Sequence, residues 1–85
     1  MYKLNENLSL RKEDGKYLLF DNTGGGIYML NELSYEIIRL CDGKNDGESI
    51  IYKIAESFDG DFEKITEDFN ELIDILIDKR FIIRA

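Results

Sequence analysis

The segment TGGGIYMLNELSYEIIRLCDG, residues 23–43, holds the change from strand to helix that decides the fold. After the glycines, the apolar run Ile27–Leu30 has the length and composition of a strand. Asn31 is a favourable helix N-cap, and apolar residues recur at helical spacing from Glu32 to about Asp42. Gly43 follows, as glycine often does just beyond a helix end. These features predict a short strand that leads directly into a first helix.

The three glycines at 24–26 raise the question of a phosphate-binding loop. Such a loop opens directly into a helix, so that backbone N–H groups at the helix N-terminus face the anion. Here the glycines precede a strand, and neither Gly-Lys-Ser/Thr nor the spaced glycines of a dinucleotide fingerprint are present. We therefore interpret them as a turn, in which glycine supplies a positive φ.

The preceding segment NLSLRKEDGKYLLFDNT reads as two strands joined at the Asp-Gly dipeptide 14–15, which favours a tight hairpin turn. A two-residue loop would place Leu10 opposite Leu19 and Lys12 opposite Tyr17. A longer loop would shift this register.

Two further helices are predicted, over about Gly47–Phe58 with Asp46 as N-cap and over about Phe62–Lys79. The closing residues RFIIRA are expected to form a short extended tail.

Strands followed by helices indicate an α+β fold. We expect one domain over residues 1–85, with a three-stranded antiparallel sheet and three helices in a winged helix-turn-helix-like arrangement. The predicted buried face of the third helix is Phe62, Ile65, Phe69, Leu72, Ile73, Leu76 and Ile77.

Composition argues against catalysis. The chain has no histidine, the commonest general base and metal ligand. Its single cysteine, Cys41, ends an apolar helical run, where we expect a small buried side chain. Glu67 and Glu71 stand four residues apart and could hold a hard cation, but they fall on the solvent side of the third helix. We therefore expect no enzyme activity, no cofactor and no metal.

The net charge of −7 disfavours partners rich in phosphate. Winged helices often bind DNA through lysine and arginine, yet residues 61–80 carry seven acidic and three basic side chains. We expect no nucleic-acid partner, and an acidic winged-helix adaptor or transcriptional regulator is the alternative function. No apolar run reaches the roughly 20 residues that span a bilayer, and the amino terminus lacks a secretory signal. We expect a cytoplasmic protein without a membrane partner.

Two features indicate an interaction module. The strand Ile27–Leu30 comes last in a meander and should lie at the sheet edge, where its N–H and C=O groups can accept an added strand. Ile75 lies off the buried stripe of the third helix and beside Leu72. An apolar pair near an open strand edge could form the floor of a shallow groove.

Four motifs occur in order along the chain: Y-x-L-N-E at 28–32, L-x-D-G at 40–43, I-x-x-I-A-E-x-F at 51–58 and the end of the last helix at 76–82. This pattern resembles the PqqD-like family, whose domains are also called RiPP recognition elements. The resemblance covers about residues 8–83. One departure is NDGES at the start of the second helix, where the family usually has serine or threonine followed by acidic residues.

The resemblance implies a non-catalytic chaperone in the biosynthesis of a peptide natural product. Family members bind the leader of a ribosomally made precursor peptide, which adds antiparallel to the third strand and lies against the third helix. They present it to a modifying enzyme or leader peptidase, which we expect to be a separate protein here; a radical enzyme, a lasso-peptide peptidase and a cyclodehydratase are all compatible. The implied peptide-binding residues are Ile27, Tyr28, Met29 and Leu30 on the strand and Asp68, Glu71, Leu72, Ile75 and Lys79 on the helix. We expect the side chain of Leu30 to lie in the core.

Overall fold

The computed structural model describes residues 1–85 and confirms the predicted α+β fold. In chain order the elements are β1 Tyr2–Leu4, β2 Leu8–Glu13, β3 Lys16–Asp21, β4 Ile27–Leu30, α1 Glu32–Leu40, α2 Gly47–Phe58, α3 Phe62–Asp78 and β5 Ile82–Arg84. Three strands form an antiparallel sheet in the order β2-β3-β4, and the two remaining strands, β1 and β5, pair antiparallel in a second sheet. None of the three helices has both the length and the apolar character needed to span a bilayer.

The β2–β3 hairpin has the predicted register. Leu10 lies opposite Leu19 and Lys12 opposite Tyr17, because the loop contains only two residues, 14 and 15. Both loop residues have positive φ, 51° and 74°, as a tight turn that matches strand twist requires. Since side chains alternate along a strand, this register turns Leu10 and the fully buried Leu19 toward the helices.

The helix caps are also as predicted. The Asn31 side chain accepts a hydrogen bond from the Ser34 N–H at 2.8 Å, and Asp46 accepts one from Ser49 at 2.8 Å. The first helix ends at Leu40, earlier than expected, because the Cys41 carbonyl accepts the Leu4 N–H of β1. Burial raises the pKa of the Cys41 thiol to about 12, which agrees with a packing role for this side chain.

The β1–β5 sheet was not foreseen from the sequence. The closing residues are not a free tail: β5 pairs with β1, with Tyr2 opposite Arg84 and Leu4 opposite Ile82. Ile82 is 1% exposed and joins the core formed by the three helices. Two three-residue strands from opposite ends of a chain leave no local pattern that would predict their pairing.

The buried face of α3 differs in part from the prediction. Its buried residues are Ile65, Phe69, Ile73 and Leu76. Leu72 and Ile77 are only half-buried, and Phe62 is 43% exposed, so its assignment to the core was wrong. Phe62 lies in the first turn of α3 and packs instead against Tyr52 of α2, with the ring centroids 5.1 Å apart.

Ile82→Ala tests whether the paired termini hold the core together. We expect the free energy of unfolding to fall by about 2–5 kcal/mol, the range for truncating a buried isoleucine. Urea unfolding followed by circular dichroism measures it. The matched control is Ile83→Ala, one residue along and exposed, which should change stability by less than about 0.5 kcal/mol. Equal losses in the two variants would contradict the role assigned to Ile82.

Candidate functional site

Strand β4 has a neighbour on one side only. It pairs with β3, and neither strand of the β1–β5 sheet covers its other edge. Tyr28 lies opposite Leu19 and Leu30 opposite Tyr17. The edge that the meander predicts is therefore open along the whole strand.

The alternation of hydrogen bonds between β3 and β4 shows which main-chain groups of β4 are free. The Asp21 N–H donates to the Gly26 carbonyl at 2.8 Å, just before the strand begins. Bonds between antiparallel strands alternate, so Tyr28 and Leu30 direct their N–H and C=O groups toward β3. The N–H and C=O groups of Ile27 and Met29 point to the open edge. Of the four predicted residues Ile27–Leu30, these two can therefore form hydrogen bonds with an additional strand.

The side chains of β4 divide between two faces. Tyr28 and Leu30 lie on the face that carries the buried Leu19, and Leu30 packs against the core. Ile27 and Met29 project from the opposite face, where they are 61% and 72% exposed. Only Tyr28 thus combines a position on the helix side with substantial exposure.

On α3 the predicted residues form one stripe. Asp68, Leu72, Ile75 and Lys79 recur at spacings of three and four residues, which aligns them along the helix. Leu72 is half-buried against the core, whereas Ile75 is 49% exposed. Asp68 forms an ion pair with Lys64 at 3.4 Å.

Phe81 links the stripe to the strand edge. Its ring packs on Tyr28 with the centroids 4.8 Å apart, so the C-terminal end of α3 lies beside the start of β4. Sequence reasoning missed this residue because it assigned Phe81 to a tail. An aromatic residue directly after an amphipathic helix was the available signal. We use the cleft as a name for the candidate surface of Tyr28, Phe81, Leu72 and Ile75, in which the Tyr28–Phe81 contact joins the strand to the end of α3.

The electrostatics of the cleft change along α3. Glu71 is exposed and forms no ion pair, and Asp68 is only partly balanced by the exposed Lys64. Lys79 and Arg80 follow at the end of the helix. No group of three or more cysteine, aspartate or glutamate side chains is arranged to hold a metal ion.

The glycines before β4 form a turn, as predicted. Asp21 organises it, since one carboxylate oxygen accepts the N–H groups of Thr23 and Gly24, each at 2.9 Å. These bonds, that of Gly24 first, lower the pKa of Asp21 below its usual value because they stabilise the carboxylate. Of the three glycines only Gly25 has a positive φ, 78°.

The chain was compared with protein families and with solved structures. The family model of coenzyme PQQ synthesis protein D, PqqD, matches residues 16–82. No curated protein sequence matches the chain.

Three solved structures share the fold. TbiB1 in complex with the TbiA(beta) leader peptide superimposes with a TM-score of 0.78 at 18% identity, over 94% of this chain and 93% of that one. A lasso peptide synthetase B1 complexed with the leader peptide gives 0.79 at 15% identity, over 96% of both chains. The PqqD truncation of Methylobacterium extorquens PqqCD, a functional and stand-alone RiPP recognition element, gives 0.79 at 22% identity, over 98% of this chain and 88% of that one.

Gly25→Ala tests the turn that delivers the chain to β4. Because a side chain at a φ of 78° is strained, we expect a loss of about 1 kcal/mol in the free energy of unfolding. The control is Gly26→Ala, whose added methyl would meet the Tyr28 ring at an ordinary 3.6 Å. Urea unfolding compares the two, and a larger loss in the control would contradict the assignment.

Proposed function

Because the chain belongs to the PqqD family, we propose that it recognises the leader segment of a ribosomally made precursor peptide. The leader adds as a strand antiparallel to β4, and the protein presents it to a modifying enzyme or leader peptidase. The role is one of binding and carries no catalysis of its own. Because ribosomally made peptides are synthesised in the cytoplasm, we propose that recognition of the precursor peptide takes place there.

The observation that carries the proposal is the open edge of β4. Two N–H and two C=O groups, on Ile27 and Met29, face outward without a partner strand. A peptide in extended conformation satisfies all of them at once and gains further contacts through every second side chain. This mode of binding reads the peptide backbone, so side-chain selectivity must come from the adjoining surface.

The cleft supplies that selectivity. Tyr28 and Ile75 are partly exposed and apolar, at 40% and 49%, and so retain surface that a ligand can bury. Half of the side chains of the added strand would point into the cleft, where apolar ones gain most. Asp68 and Glu71 border the apolar floor on α3 and favour basic residues in the leader.

The comparisons with known proteins support the proposal. Two structures of the same fold contain leader peptides. The Methylobacterium extorquens domain is a truncation of PqqCD that is itself a functional and stand-alone recognition element, which supports peptide recognition by a domain of this size without further segments. The alternative, an acidic adaptor or transcriptional regulator, has no comparable support, since a net charge of −7 repels DNA.

Substitution of the cleft floor tests the site. Ile75→Asp and Leu72→Asp should each weaken binding of the precursor peptide by about 1–3 kcal/mol, as for central interface residues. Isothermal titration calorimetry measures the affinity, and circular dichroism checks the fold. Tyr52→Asp is the matched control, since Tyr52 is exposed to a similar extent as Ile75 but lies on α2 beside Phe62. If both cleft variants bind as tightly as the unmodified protein, the assigned groove is wrong.

Backbone methylation of the peptide tests strand addition independently of side chains. Single N-methyl groups placed along the bound segment should weaken binding with a period of two residues. Methylation removes an N–H that faces Met29 or Ile27 at one position and a solvent-facing N–H at the next. Each affected bond should cost about 1 kcal/mol, measured by fluorescence polarisation. A uniform response along the peptide would contradict strand addition, and the insensitive positions serve as the internal control.

A further inference from the structure

A polar cavity lies at the C-terminal end of α3. Its volume is about 210 Å³. Three separate segments line it: the loop before β2, the turn after β3 and the residues that follow α3. Its polar lining residues are Asn5, Asn7, Asp21, Thr23, Lys79 and Arg80.

Lys79 and Arg80 are the unusual members of this lining. Neither takes part in any of the four ion pairs of the protein. Asp21 is the only carboxylate that lines the cavity, and one of its oxygens is occupied by two backbone N–H groups of its own turn. The lining therefore includes two basic residues and one acidic residue, in a chain whose net charge is −7. The cavity is a local site of positive charge, suited to an anionic group.

The backbone of Arg80 gives a second reason to assign it a function. The Arg80 N–H bonds to the Ile77 carbonyl and the Phe81 N–H to the Leu76 carbonyl, each at 2.9 Å. This is the Schellman pattern, whose left-handed residue is usually glycine. Arg80 occupies that position with a φ of 62°. An arginine there costs about 1 kcal/mol relative to glycine, so the helix ending does not explain its presence.

Asn5 holds this turn in place. Its side-chain amide donates to the Arg80 carbonyl and its own N–H to the Phe81 carbonyl, both at 2.9 Å. The loop before β2 thus fixes the position from which the Arg80 side chain leaves the backbone. The guanidinium is presented from an anchored segment.

The cavity adjoins the turn that leads into β4. Thr23 belongs to the turn before β4, and Phe81, next to Arg80, packs on Tyr28. A strand antiparallel to β4 has its C-terminal end at Ile27, the end nearest this turn. The intervening turn residues include the glycines 24–26, which carry no side chain to obstruct the peptide.

We propose that this cavity binds a carboxylate side chain of the precursor peptide, just C-terminal to the segment paired with β4. The inference rests on the proposed function and adds a charged anchor to it. Pairing with only two residues leaves the register of an added strand weakly specified. A slip by two residues would withdraw the carboxylate from Lys79 and Arg80, so the anchor sets both register and direction.

Selection from a random peptide display library on the full chain tests the idea, because such a library samples acidic residues at every position. We expect enriched peptides to share apolar residues at alternate positions, followed at a fixed distance by aspartate or glutamate. Selection on Arg80→Gly should retain the apolar pattern and lose the acidic residue. Glycine suits the left-handed position, so this variant keeps the fold, which circular dichroism verifies.

A double-mutant cycle then locates the contact. Replacing the acidic residue of a selected peptide by its amide should weaken binding about tenfold, the size of one charged hydrogen bond. The same replacement should have little effect on binding to the Lys79→Gln, Arg80→Gly double variant. Lys44→Gln is the control, since Lys44 is exposed, forms no ion pair and does not line the cavity.

The outcomes separate the two proposals. Enriched peptides that depend on Ile75 but share no acidic residue would overturn the cavity assignment and leave leader recognition intact. An acidic residue whose effect persists in the double variant would do the same. Failure to enrich any peptide that depends on Ile75 would overturn both.

Discussion

Two residues of β4 carry main-chain groups that the fold leaves without a partner strand, and the proposed function depends on them. Such an edge is also a liability, because it can pair with another copy of the chain. The short length of the strand limits this risk. β4 has four residues, with a glycine turn before it and the N-cap of α1 after it. The outer strand on the other side of the sheet, β2, carries the charged run Arg11–Glu13. One edge is thus protected by charge, and the other is kept short.

The β1–β5 sheet matters to this edge although it does not touch it. Pairing of the two ends of the chain buries Ile82, and the Asn5 N–H donates to the carbonyl of the neighbouring Phe81 at 2.9 Å. Phe81 in turn supports the Tyr28 ring, the one side chain of β4 that is both on the helix side and substantially exposed. A contact between the termini therefore shapes the surface on which an added strand would lie.

Charge is distributed unevenly along the same surface. The middle of α3 carries acidic side chains, whereas Lys79 and Arg80 lie together at its end beside the turn that precedes β4. Cations at a helix C-terminus also interact favourably with the helix dipole. The left-handed backbone of Arg80 ends the helix with more strain than glycine would at this position.

The sequence by itself determined the features that depend on neighbours within a few residues. The Asp-Gly turn set the hairpin register, Asn31 and Asp46 marked the helix starts, and helical spacing separated Ile75 from the buried stripe. Tertiary structure decided the rest: the pairing of the termini, the exposure of Phe62, the Tyr28–Phe81 contact and the cavity. Each of these joins or depends on segments far apart in the chain. No local propensity encodes such contacts, because they form only once the whole core has brought the segments together.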